Sequence, residues 1–439
     1  MGWRARQQAS DRPRSPWRRS GRDRSAAKGA PTPARNVPLI SVTAGFATTW
    51  YLTWSPVLPL LLGSRGASPA AIAATFALVN LCGALIQYVG GRLADRVGVR
   101  RVIGWTGVAL GCTWFAMAAA SGDWLGLAVF YVLGNTLFGL QATAFVTVIS
   151  DSVPIGRRLR AFSFYQFWSA ASFVAGPLAG GLLLLPRLAP PVYLGLTGLV
   201  YLSVGIVRLA FLREPRQLTG RPNPPATPRR ILAALAGSAE RRELAALSAG
   251  VTLAFALTVN GPFIPLTVHV LDGIPPRVVE ILFGVGPVGA LAVSLAARLV
   301  RSHRRTLAWG LAILALAAAA LALPLGMVGL AAAFLLAFAG FQLTSVAFAV
   351  LRVRLAGEDA PGEVLGASSA MAGTAAFLGV AVAGAAGGRV ALLAGAAIAV
   401  ATGVWQVRGA GRALTQDMVV DAGASSQGQM AAAGRPGEL

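Results

Sequence analysis

Few side chains in this 439-residue chain have the type and spacing that covalent chemistry needs. Lys28 is the single lysine among 38 basic residues, and Gly29 follows it, so no glycine-rich turn ends in the Lys and Ser or Thr that cradle a nucleotide phosphate. Cys82 and Cys112 stand alone in apolar runs and read as small buried thiols. His269 and His303 are equally isolated, so no metal is expected, nor any other cofactor. His269 and Asp272, one turn apart, are the only candidate titrating pair. What is left is uncharged polarity set in apolar surroundings. Thr48, Tyr51 and Ser55 recur at i, i+3 and i+7, one face of a helix. Asn80 and Gln87 share a face as well, and Asn135, Gln141, Gln166, Asn260 and Gln342 stand singly. Asn135 and Gln141 lie about 120° apart around a helix, so they cannot both face one small ligand. In hydrocarbon each such group must meet a neighbour or water. One use is an interhelical hydrogen bond, worth about 0.6 kcal/mol on average. The other is reversible binding of a neutral or amphipathic organic solute, with Trp50, Tyr51 and Trp54 supplying aromatic surface. No catalytic residue is expected.

The elements that must position these groups follow from composition. Hydrophobic residues make up 55% of the chain and charged residues 12%, with mean hydropathy +0.65. A soluble domain carries about 25% charged residues. That difference excludes an ordinary water-soluble enzyme, and so much apolar surface excludes overall disorder. A helix needs about 20 mostly apolar residues to cross a bilayer. Twelve such runs are present, at about 38–62, 70–91, 102–120, 124–149, 161–185, 192–212, 244–268, 278–299, 306–325, 327–350, 363–386 and 388–406. The fold class is therefore an all-α polytopic membrane protein. A basic tail over 1–37, read as disordered and uncleaved, precedes a first half at 38–212. A linker at 213–243, a second half at 244–407 and a disordered tail at 408–439 complete the chain.

Charge placement gives the orientation. The N-terminal tail, the loops after even-numbered runs and the C-terminal tail together hold 34 basic residues, and the opposite side holds 4: Arg65, Arg187, Arg277 and Arg389. This positive-inside bias places both termini in the cytoplasm. It also accounts for the basic tail through anionic lipid, without nucleic acid as a partner. Arg208, near the inner end of the sixth run, is expected to snorkel to the interface. The chain also repeats itself. Pro56 and Pro59 in the first run match Pro262 and Pro265 in the seventh, 206 residues later, and Arg92–Leu93 matches Arg298–Leu299 at the same offset. Two parallel six-helix units suit a protein that rocks its halves about a central site.

Between the second and third runs stands Gly90-Gly91-Arg92-Leu93-Ala94-Asp95-Arg96-Val97-Gly98-Val99-Arg100-Arg101. This resembles the signature loop of the major facilitator superfamily, and the resemblance extends over the twelve-run layout, roughly 38–407. Gly91 and Gly98 would let helix ends and the turn approach closely. Asp95 would pair with Arg96, Arg100 or Arg101 and, by the resemblance, brace one state of the conformational cycle. The second-half copy has Arg301 where the acid should stand, so any latch is asymmetric. The fifth run ends in Gly176-Pro177-Leu178-Ala179-Gly180-Gly181, similar to an element of the superfamily's efflux antiporters. Its glycines permit close helix contact and Pro177 bends the helix. Asn135 occupies the position where proton-coupled members carry an Arg. Asp123, Asp151, Asp272, Glu280 and Glu363 all fall in loops or at the ends of runs, which speaks against a buried proton relay. The resemblance implies a monomeric, non-enzymatic secondary transporter of the plasma (inner) membrane, moving a small-molecule substrate by alternating access, in the outward direction. A gradient-driven facilitator or importer and a transporter-like sensor are the alternatives.

Overall fold

The computed structural model of the chain describes residues 35–153, 158–214, 238–296, 302–356 and 361–408. Both expected tails, apart from a few residues at their inner edges, and most of the expected linker lie outside these. Among the described residues every regular element is helical. In chain order the helices are α1 (Asn36–Leu52), a 3-10 turn (Ser55–Val57), α2 (Leu58–Ser64), α3 (Pro69–Val97), α4 (Val99–Ala119), α5 (Trp124–Asp151), α6 (Arg158–Ala179) with a π turn (Gly180–Leu184), and α7 (Pro190–Phe211). The second half continues with α8 (Ala239–Leu257), α9 (Phe263–Asp272), α10 (Pro276–Ala296), α11 (His303–Leu321), α12 (Met327–Ala356), α13 (Pro361–Ala386) and α14 (Gly388–Arg408).

Ten of these are by themselves long and apolar enough to cross a membrane. The broken pairs α1–α2 and α8–α9 supply the first and seventh of the twelve expected crossings. Prolines cause both breaks, because each lacks an N–H and its ring clashes with the carbonyl four residues back. Helix α1 stops at Leu52 and α2 starts at Leu58, with Pro56 in the 3-10 turn. Helix α8 stops at Leu257 and α9 starts at Phe263, directly after Pro262. The two breaks are 205 residues apart, one fewer than the proline pairs.

Packing repeats with the sequence. In the first half α1 lies on α6, α3 on α5, and α4 on both α5 and α7; in the second half α8 lies on α13, α10 on α12, and α11 on α12. The halves meet along two helix pairs, α3 with α13 and α6 with α10, which exchange under the same repeat. Trp105, seventh residue of α4, and Trp309, seventh residue of α11, are both exposed, as befits aromatic anchors at one depth of a bilayer interface. Below, the end of the bundle carrying Asn36 and Arg408 is called the terminus end, and the other the far end.

One expected boundary moves. The run read as ending at residue 91 continues as α3 to Val97, because Leu93 to Val97 contains no helix breaker. Gly91 therefore lies inside a helix, and only Gly98 makes the turn. It has φ +93° and ψ 140°, a conformation that any residue with a Cβ rarely adopts.

Candidate functional site

The first half encloses a polar and aromatic cluster. The Tyr51 hydroxyl on α1 lies 3.2 Å from the Tyr131 hydroxyl on α5 and donates to Asn135 Oδ1 at 3.2 Å. Asn135 Nδ2 in turn donates to the Tyr131 carbonyl at 2.9 Å, fixing the amide's orientation. Trp54 Nε1 donates to Thr197 Oγ1 on α7 at 3.0 Å. Trp54 stacks edge-on against Tyr51 (5.3 Å between centroids) and Trp114 of α4 (5.4 Å), and Trp114 meets Tyr201 of α7 at 6.2 Å. Trp54 and Trp114 are each only 1% exposed. Expected to flank a ligand, Trp54 is instead sealed inside the half: it lies in the break of the first crossing, with its ring between Trp114 of α4 and Thr197 of α7. Tyr51 and Asn135 are half-buried and form the accessible edge of the cluster.

The other polar candidates go different ways. Thr48 is half-buried on α1, one turn from Tyr51. Ser55 is buried in the 3-10 turn, past the end of α1, so the helical face assumed for it ends before it. Gln141 is buried and donates to the Ile103 carbonyl at 2.8 Å, tying α5 to α4. Asn80 donates to Phe76 O of its own helix, and its backbone carbonyl abuts Gly373 of α13. Gln166 on α6 and Asn260 in the second break are exposed, and Gln342 on α12 is half-buried. The structure thus brings together Tyr51 and Asn135, while Gln141 turns away to the Ile103 carbonyl.

The signature loop is clamped by a residue that the sequence did not single out. Glu214, just past α7, accepts from Val99 N at 2.6 Å and Arg100 N at 3.1 Å, the unpaired first amides of α4. A carboxylate there also meets the positive end of the helix dipole. The Arg100 guanidinium donates to Leu209 O from Nε at 2.9 Å and also from a terminal nitrogen, satisfying a carbonyl of the last turn of α7. Each helix end therefore supplies the partner the other lacks. Gly98 completes the fit, since a Cβ there would stand 3.0 Å from Glu214 Oε1. Arg101 and Trp105 line the adjoining cleft with Glu214 and Val97. The side chains of Asp95 and Arg96 lie outside the described residues. Nearby, Asn36 Nδ2 donates to Ser152 Oγ (3.1 Å) and Arg213 O (2.9 Å), while its Oδ1 accepts from Arg213 N (3.1 Å).

Two charged residues are corrected by burial. Arg208, expected at the interface, is 1% exposed, with its Cζ 4.8 Å over the Phe145 ring and its Nε donating to Thr43 Oγ1 at 3.0 Å. Its side chain lies between Thr43 of α1 and Phe145 of α5 rather than reaching the surface. Glu280, read as an end residue, is the fifth residue of α10 and 0% exposed. At the terminus end of the second half Glu243 of α8 pairs with Arg304 of α11 at 2.9 Å. Next to it Glu240 is fully exposed. Its own backbone N–H, and then the Ser238 hydroxyl, hold its carboxyl below the usual range.

The glycine-proline element joins crossings. Gly176 backs onto Thr49 O and Leu52 of α1, and Gly180 onto Thr53 O in the first break. Pro177, inside α6, removes an N–H, and the chain widens into the π turn three residues later. Gly181 faces the other half, where a Cβ would stand 2.7 Å from Arg277 O and from Ile281 of α10. With Gly284 against Leu178 it forms one seam; Gly384 against Ala73 and Gly373 against Ala84 form the other. These approaches run from the middle of the helices to the far end.

A family model described as Major Facilitator Superfamily matches residues 39–383. No curated protein matches the chain. Among solved structures, a mutant of the nucleoside transporter NupG superposes with TM-score 0.67 at 14% identity, covering 85% of this chain and 99% of its own. A mutant of the peptide transporter POT gives 0.67 at 17% identity, with coverage of 86% and 94%. The human organic anion transporter MFSD10 (TETRAN) gives 0.63 at 15% identity, with coverage of 85% and 99%. At such identities the likeness concerns the fold.

Proposed function

The chain belongs to the Major Facilitator Superfamily, a class of secondary transporters, and from that premise we propose that it moves a small organic solute by alternating access. The observation that carries this reading is the seam. Two repeated six-helix units touch along α3–α13 and α6–α10, with their glycine-mediated approaches in the middle and far portions of those helices. Rocking about such a seam opens one end as it closes the other. With the termini in the cytoplasm, as the charge bias favours, the arrangement corresponds to a state closed to the outside of the plasma membrane. The solute meets the Tyr51–Asn135 edge, with Thr48 one turn away, where one donor-acceptor amide and one hydroxyl stand against aromatic surface. That chemistry suits an uncharged or amphipathic organic molecule. Efflux is the direction favoured by the Gly176-to-Gly181 element.

The test compares a deletion strain with an overexpressor across a panel of toxic compounds, followed by counterflow of each hit in proteoliposomes. Saturable exchange that weakens with Tyr51→Phe is expected. Saturable binding with no exchange for any hit would replace the transporter reading with that of a sensor.

A further inference from the structure

Among the acids whose side chains are described, Glu280 alone is buried, and neither of its carboxyl oxygens has a hydrogen-bond partner. It sits one turn inside the far end of α10, on the side turned to the other half. Arg277 and Ile281, on either side of it, press on Gly181, Gly284 one turn further packs on Leu178, and α10 also touches the Ser55–Val57 turn. Tyr193 of α7, in the first half, lies within its electrostatic reach. The residue is therefore enclosed within the seam between the halves. An ionised carboxylate left there with no donor and no cation is among the costliest arrangements a protein can hold. A solute has no room beside atoms with no exposed surface. A proton needs none.

We propose that Glu280 is a proton-binding site, and that closing the far-end seam takes up one proton at its carboxyl. The inference rests on the alternating-access reading and adds to it a coupling ion. When the seam opens, water reaches the carboxyl, which ionises as an ordinary glutamate does near neutral pH. To close again it must be neutral. The closed far end is thus favoured at low pH and lost as pH rises, by up to tenfold in the open-to-closed ratio per pH unit for one proton. The groups around it leave this assignment to Glu280. Tyr193 is the titratable side chain facing it from α7. The neighbouring stretches of α6, the π turn, the Ser55–Val57 turn and the far end of α12 contribute none. On α9, His269 Nδ1 is engaged with the Ile274 carbonyl at 2.7 Å, and the side chain of Asp272 lies outside the described residues. Arg277, Arg65 and Arg389 are exposed, and none makes an ion pair with Glu280.

The test measures the far-end opening of the full chain in nanodiscs by double electron-electron resonance. Labels are placed at Ser64 and Arg389, exposed far-end positions in opposite halves, in a background where Cys82 and Cys112 are serine. Raising the pH from 5 to 9 is expected to shift the unaltered seam from the short distance to the long one. Glu280→Gln should hold the short distance at every pH, and Glu280→Asp should restore the pH response. Two distances whose populations ignore pH, or which respond equally in Glu280→Gln, overturn the proposal and leave alternating access standing. A single distance under all conditions, solute included, overturns both.

Discussion

The two halves share a backbone plan and differ in what fills it. Eight residues into α5 stands Tyr131, and eight into α12 stands Phe334; twelve residues in, Asn135 is matched by Phe338. The sixteenth residue of α4 is Trp114 and that of α11 is Ala318. The first half thus gathers hydrogen-bonding aromatics, whereas the second packs Phe283 edge-on against Phe334 (5.1 Å) and Phe338 (6.1 Å). At the terminus end the first half is clamped through two backbone amides and a glycine turn; the second-half copy of that loop, 297–301, lies outside the described residues, and among those described Arg304 pairs with Glu243. Duplication kept the proline breaks and the helix pairing. The hydrogen-bonding aromatics gathered on one side, which is why the proposed solute site lies in the first half.

The largest test of this contrast concerns the sealed cluster. Trp54→Ala removes a ring packed against three others and should cost roughly 3–5 kcal/mol, read as a lower midpoint of thermal unfolding in detergent. A loss below about 1 kcal/mol would mean that the cluster does not organise the half. Next comes the clamp. Glu214→Ala strips the first turn of α4 of its charged cap and should cost about 1–2 kcal/mol, whereas Glu243→Ala, at a partly exposed ion pair, should cost under about 1 kcal/mol. Equal losses would erase the distinction between the two terminus ends. The recognition claim gives a smaller effect. Tyr51→Phe deletes one hydrogen bond worth about 1 kcal/mol and should raise the apparent KM for the solute roughly fivefold, while Phe338→Leu leaves it within about twofold. A stronger effect from Phe338→Leu would move the site into the second half. Smallest is the contribution of Glu240. Because its carboxyl is held low, the stability it adds is present above the ordinary glutamate range and fades as pH falls through that range. Glu240→Gln should flatten this slight acid sensitivity of the second half.

Much of this was legible in one dimension. Hydropathy marks a crossing because lipid demands about 20 apolar residues in a row, and a proline breaks a helix wherever it falls, so the runs and the repeated breaks could be read off residue by residue. The family followed from a short motif whose turn glycine, Gly98, does sit at the turn. The site was less legible. Nothing in the local spacing of Tyr51 shows that its hydroxyl meets Tyr131 and Asn135, some 80 residues later. Extrapolating one helical face to Ser55 failed at the very break the prolines announced.

The sequence by itself determined how many times the chain is suited to cross a bilayer, where it bends and that it repeats, since each depends on the solvent preference or backbone freedom of neighbouring residues. Only the tertiary structure decided the rest: that Glu214 reaches the amides of residues 99 and 100, that Arg208 is buried over Phe145, and that Glu280 is shut between the halves. A charged group's partner and its access to water are set by which helices come to lie beside it, and that choice belongs to the packing of the whole bundle.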